Sequence, residues 1–166
     1  MSTSRLLLVL TLACCCSGAK AQDLRTPYLD FLVGKHTATA VFHRLETGDD
    51  IEIVSKMEGV YRDGYSRLVV SSVTASKSVP GNPLKATSTW MRKSDHYEAT
   101  LVDDEGHTNV DKMYVTSPGH YHTDGYYDGV LLEHKESEVK DGVIVEKGEF
   151  MDASGKTVAT MSATIK

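Results

Sequence analysis

The stretch Gly119 to Gly129, GHYHTDGYYDG, holds two histidines two residues apart, His120 and His122, followed by Asp124. On a strand, residues i and i+2 share a face, so the two imidazoles would stand side by side. Such a pair is half of a transition-metal site, and the other ligands would have to come from neighbouring strands. His107 and Asp124 are near in sequence, and Glu133 and His134 lie across the next turn. His120, His122 and His134 are therefore the candidate metal ligands. A plainer reading competes with this one. The segment is bracketed by the turn signals SPG and TDG, and Tyr121 and Thr123 offer no clear apolar opposite face, which suits an exposed rim that contributes surface and no chemistry. The plainer reading is preferred. Tyr114, Tyr121, Tyr126 and Tyr127 are read the same way, as cross-strand pairs before they are read as an aromatic ligand mouth.

Other chemistry is sparse. Glu98, Glu133, Glu146 and Glu149 fall in strand-like segments with no spacing that pairs them, and neither a Gly-x-Ser-x-Gly elbow nor a phosphate loop occurs. The runs HKESEVKDG and VDDEGH read as solvated outer faces and tips, and Arg67 as a surface arginine. All three cysteines, Cys14, Cys15 and Cys16, lie near the N-terminus, so a chain starting at Gln22 has neither thiol chemistry nor disulfides.

That start is what the N-terminus predicts. Arg5, the apolar run Leu6–Ala13 and the small residues Ala19 and Ala21 make a signal peptide over residues 1–21, cleaved near Ala21. The run is too short to span a bilayer, which needs about 18 or more apolar residues. A secreted or periplasmic protein is expected, with lipidation at Cys14 as the alternative. Losing Arg5 and Lys20 takes the formal charge from −5 to −7, which argues against nucleic acid and anionic lipid as partners.

The elements that must position these residues are strands. One short helix is predicted in RTPYLDFLVGK, with Thr26 as N-cap, Pro27 in the first turn and Gly34 as the stop, forming a plug or lid. From there turn signals recur roughly every dozen residues: TGDD, RDG, VPGNP, DEG, SPG, YDG, KDG and ASG. The intervening segments alternate apolar and polar residues, as in DIEIVSKMEGVY and KTVATMSATIK. Ten strands result, at 36–45, 50–61, 64–76, 84–92, 95–103, 108–116, 120–126, 130–139, 143–151 and 156–165. Closing so long a meander removes its two edges. The fold class is thus all-β, a single antiparallel up-and-down barrel of about ten strands over residues 22–166, entered through a short helix. Ala38, Ala40, Ser55, Gly59, Ala86, Ser88, Ala99, Gly148, Ala159 and Ala163 fall on the expected inner faces, and so many small residues suggest room for a ligand.

A helix running through FLVGKHTATAVF into the first strand, then a glycine-punctuated meander ending DASGKTVATMSATIK, resembles the calycin barrels. Within them it resembles nitrobindin-like ten-stranded barrels and a related bacterial secreted family. Two departures stand out. The Gly-x-Trp that opens the first strand of calycins is here Gly34-Lys35-His36, and the lone Trp90 sits mid-chain. No motif around His134 supports carrying over the haem-binding histidine of nitrobindin-like proteins.

The function read from the sequence is non-catalytic binding of a small, largely apolar molecule inside the barrel, without a cofactor. Phe42, Ile53, Met57, Trp90, Tyr97 and Met161 are expected to line or fill the interior. Two alternatives stay open: a metal- or haem-dependent protein using the barrel histidines, and a filled barrel whose outer surface binds a partner.

Overall fold

Thr26 starts the first element as its residue type dictates. In the computed structural model, which describes residues 23–79 and 81–166, its hydroxyl accepts the Leu29 N–H at 3.1 Å, opening helix α1 (Pro27–Phe31). Gly34, at φ +94°, turns the chain out of the helix into the first strand. The leader expected over residues 1–21 lies outside the described residues.

Ten antiparallel strands follow: β1 (Gly34–Arg44), β2 (Asp50–Arg62), β3 (Arg67–Ser76), β4 (Leu84–Arg92), β5 (Tyr97–Asp103), β6 (Thr108–Ser117), β7 (His120–Tyr127), β8 (Val130–Lys140), β9 (Val143–Met151) and β10 (Thr157–Ile165). Each pairs with the next, and β1 returns to β10, from Ala38 opposite Ile165 to Arg44 opposite Ala159. No edge is left open. This is the closed up-and-down barrel of ten strands that the strand count and turn spacing predict. No helix among the described residues is long and apolar enough to cross a membrane.

Two of the tightest connections, Asp128-Gly129 and Asp141-Gly142, have positive φ at both residues (50° and 79°, 51° and 74°). That is the mirror-image turn whose twist matches flanking strands. These two turns bracket β8 and set its pairing. On the β9 side the ladder is unbroken, with Val139 opposite Ile144 and Ser137 opposite Glu146. On the β7 side Tyr126 faces Leu131 but Gly125 faces Glu133, so Leu132 is an extra residue, a bulge.

The interior is packed at the end where α1 enters. Leu24, Leu29, Leu68, Met113 and Ile144 are fully buried there. The Tyr28 ring lies 5.2 Å from Tyr121 and 6.2 Å from Trp90. Gly59 permits this approach, because a Cβ on it would stand 2.0 Å from the Leu32 carbonyl oxygen. His36, at the position where calycins carry Trp, stacks on Phe31 at 4.7 Å, and its Nε2 lies 3.0 Å from the Val33 carbonyl oxygen. The large ring under the plug is supplied by Trp90 instead.

Two expectations need correction. GHYHTDGYYDG is no rim. Most of it is β7, a full strand of the wall, and its opposite face is supplied by Tyr121 and Thr123, 1% and 2% exposed, with buried Gly125. The run HKESEVKDG is no solvated face either. Lys135, Ser137 and Val139 of β8 share the inward face of Glu133, while His134 and Glu136 face outward.

Candidate binding site: a charged cluster inside the barrel

The lumen has two unlike halves. Beneath α1 it is solid. Towards the opposite end the inward-facing Phe42, Ile51, Ile53, Thr74, Leu101, Phe150 and Met161 are only half-buried, and no helix covers that end among the described residues. The β1–β4 wall brings Ala38, Ser55, Ser72, Ala86 and Ser88 inward, side chains too short to cross the barrel. Small residues facing a half-exposed wall fill this end of the barrel only sparsely.

The facing wall, β6 to β9, carries charge. Asp111 lies opposite Gly125, which lies opposite Glu133. One step along, Lys135 sits between Thr123 and Gly148, and Ser137 sits between Tyr121 and Glu146. Glu133 and Glu146 are 6% and 7% exposed. Burying ions is expensive unless they are paired and hydrogen-bonded, and most of this cluster is. The Tyr28 hydroxyl donates to Glu146 Oε1 at 2.8 Å and the Ser137 hydroxyl to the same oxygen at 3.1 Å. The Tyr127 hydroxyl donates to Glu133 Oε2 at 3.3 Å.

The Asp111 carboxyl makes no hydrogen bond among the described residues, and Lys135 is a second exception. Its ammonium lies 3.7 Å from Glu133 Oε1, beyond hydrogen-bond length, and its side chain keeps 14% of its surface accessible. Its ammonium has donor capacity to spare. Glycine makes the arrangement fit, since a Cβ at Gly125 would come within 2.9 Å of Glu133 Oε2 and 3.3 Å of Asp111 Oδ1.

The proton affinities follow from these positions. Burial alone would depress Lys135, but the Glu146 and Glu133 carboxylates outweigh it and hold the ammonium charged. Burial raises Asp111 to about 6, with Lys135 opposing and Glu133 and Glu146 adding to the rise. Burial and the adjacent glutamates also raise Tyr28 and Tyr127. Near pH 6 the Asp111 carboxyl therefore exchanges its proton beside a charged Lys135.

The residues expected to line the interior all fall on inner faces, but in different surroundings. Trp90 and Tyr97, 6% and 5% exposed, belong to the packed core beneath α1, and Met57 packs at its margin. Phe42, Ile53 and Met161 stand in the open half, where the Phe42 ring lies 5.2 Å from Phe150. The charged residues were not anticipated from sequence, although a signal was there. Counting outward from the two-residue turn Asp141-Gly142 puts Ser137, Lys135 and Glu133 on the face of Val139, and Glu146 on that of Ile144.

The histidines lie elsewhere. His122 and His134 converge on Asp124 on the outer face of β7 and β8, and His120 does not join them. His107 stands at the open end, in the turn between β5 and β6, with its Nδ1 3.0 Å from Asp103 Oδ2. Two depressions, of about 850 and 570 Å³, also lie on the outer wall. Each is a trough between two rows of outward side chains. In the larger, Lys35, Glu58, Ser71 and Thr87 face Thr37, Lys56, Val73 and Lys85.

Fold and interior together define a closed ten-stranded antiparallel barrel, plugged by a helix at one end and carrying a charged cluster on the β6 to β9 wall. Two solved structures share the architecture. The S-type phycobiliprotein lyase CPES from Guillardia theta superposes with a TM-score of 0.58 at 12% identity, over 83% of this chain and 88% of that one. Rv2717c from M. tuberculosis superposes with a TM-score of 0.59 at 12% identity, over 86% and 98%. At that identity the likeness is one of fold. No protein-family model and no curated protein sequence matches the chain.

Proposed function

We propose that this chain is an exported binding protein that takes a small amphiphilic molecule into the open half of its barrel. The apolar body of the ligand rests against Phe42, Ile53, Phe150 and Met161, and its polar group reaches Asp111, Glu133, Lys135 and Glu146. The observation that carries this reading is the pairing of a half-exposed apolar wall with a buried charged cluster whose lysine has unfilled donor capacity. A barrel built only for stability gains little from buried ions, because well-packed apolar residues serve as well or better. The resemblance to barrels that hold ligands supports the reading at the level of fold. It also amends the expectation of a largely apolar guest, since one end of the guest must hydrogen-bond.

The excess of carboxylates sets the preference. A neutral or cationic head group is favoured, and a free carboxylate or phosphate head is repelled. Titration calorimetry with dodecylamine, dodecanol and dodecanoate tests this on the tag-free protein beginning at Gln22. Amine and alcohol should bind with one-to-one stoichiometry, and dodecanoate at least tenfold more weakly. Equal binding of all three would leave the cluster no part in recognition. Absence of binding by any of them would sink the amphiphile reading.

A further inference from the structure

We propose that His122, Asp124 and His134 form a binding site for a zinc-class divalent metal on the outer face of β7 and β8, with Glu136 as the carboxylate that orients His122. This site is separate from the lumen and does not depend on the function proposed for it.

Register builds the site. His122 and Asp124 are two apart on β7, so they share its outer face, and across the ladder Asp124 faces His134 while His122 faces Glu136. Four metal-competent side chains thus occupy the corners of one square of sheet. One donor atom each from His122, Asp124 and His134 lies within 4.8 Å of the others. His122 Nε2 is 2.9 Å from Asp124 Oδ1, and His134 Nδ1 is 2.7 Å from the same oxygen. Zinc bonds nitrogen at about 2.0–2.1 Å and carboxylate oxygen at about 2.0–2.2 Å. An ion among these three atoms asks only for a small outward shift of each.

The hydrogen bonding points the same way. His122 Nδ1 lies 2.6 Å from Glu136 Oε1, so both ring nitrogens of His122 face carboxylate oxygens. A neutral imidazole has one N–H. Given to Glu136, it leaves the Nε2 lone pair aimed at Asp124, an acceptor facing an acceptor. A cation between them resolves that conflict, as a second ring proton also would, and a carboxylate holding the far nitrogen of a ligating histidine is the usual support for such a site. The His122 and His134 rings also lie at only 30° to each other, with centroids 5.8 Å apart, while Tyr114 covers the other side of His122 at 6.3 Å.

The donor set selects the ion. Two imidazoles and one carboxylate, with no thiolate, suit zinc, copper or nickel and are a poor match for magnesium or calcium. Side-chain exposures of 30%, 19% and 42% for His122, Asp124 and His134 leave the fourth position open to water. His134 and Glu136 also border the 570 Å³ trough on the outer wall, together with His43, Lys147 and Glu149.

The test is titration of the tag-free, chelator-treated protein with Zn²⁺ by calorimetry, and with Co²⁺ by visible absorption. One equivalent of Zn²⁺ should bind, and Co²⁺ should give a d–d spectrum of a four- or five-coordinate site. His122→Ala, Asp124→Ala and His134→Ala should each weaken binding at least a hundredfold. Glu136→Gln should weaken it about 10- to 100-fold, as loss of an orienting partner does. His120→Ala should leave it unchanged. The side chains are on the outer face, so thermal melts are expected to show each variant folded. A wild-type protein that takes up no equivalent at 100 µM Zn²⁺ overturns the proposal. So does stoichiometric binding that survives His134→Ala or disappears in His120→Ala.

Discussion

Gly125 lies directly opposite Glu133 across the β7–β8 ladder, and a Cβ at Gly125 would stand 2.9 Å from both the Cβ and Oε2 of Glu133. The glycine is the space in which the carboxylate sits. Gly125→Ala must push a buried glutamate off its position or spread two strands. The expected cost is about 1–3 kcal/mol, the usual range for overpacking a dense interior. Urea unfolding gives the number, and an unchanged midpoint would mean that Glu133 is free to move aside.

Asp111 makes stability depend on pH in the direction opposite to an ion-paired surface carboxylate. Its ordinary value of 3.8 is raised to about 6 in the fold. The folded chain therefore binds the proton more tightly than the unfolded chain. Between roughly pH 4 and 6.5 this group alone lowers stability as the pH rises, by up to about 3 kcal/mol in total. Asp111→Asn removes the effect, so the stability difference between wild type and variant should widen in favour of the variant across that window. It should level off above about pH 7. Denaturant titrations at five pH values check this, and a constant difference would show an ordinary carboxylate.

Tyr28 ties the plug to the charged cluster through its hydroxyl, which donates to Glu146 Oε1 at 2.8 Å. Tyr28→Phe keeps the ring against Tyr121 and Trp90 but removes a hydrogen bond to a buried carboxylate. The cost should be about 1.5–3 kcal/mol, the range for a bond to a charged group. The lone tryptophan reports on the same contact, so its fluorescence should stay native-like in the folded variant. A shifted emission would mean that the ring, not the hydroxyl, had been disturbed.

Read residue by residue, the sequence shows its punctuation clearly. Thr26, Pro27 and Gly34 mark the helix, and the Gly-containing turns mark the ends of ten strands to within a few residues. Where the expected strands ran long, at 64–66 and 95–96, the residues are spent in the turns that precede β3 and β5. Barrel closure followed from the count, because an open meander of that length would leave two unpaired edges. The inward run of small residues was legible too, since it needs only alternation.

The charged cluster was not. Glu133, Lys135, Ser137 and Glu146 look like a solvent face by composition, because charged residues are seldom buried. Composition cannot say which way a strand is turned. Side chains alternate with period two, so a shift of one residue exchanges the two faces completely. Without the bulge at Leu132, continuing the register from the Asp128-Gly129 turn would send His134 and Glu136 inward and Lys135 outward. With it, the lysine and glutamates enter the barrel and the histidines meet Asp124 on the outside. Local sequence determined the strands, the turns and the plug, because each depends on the backbone preferences of a few neighbouring residues. Tertiary structure decided what the strands present to the lumen and to solvent, because closing ten strands around α1 with a bulge at Leu132 fixes which face of each strand turns inward, the charged face of β8 among them.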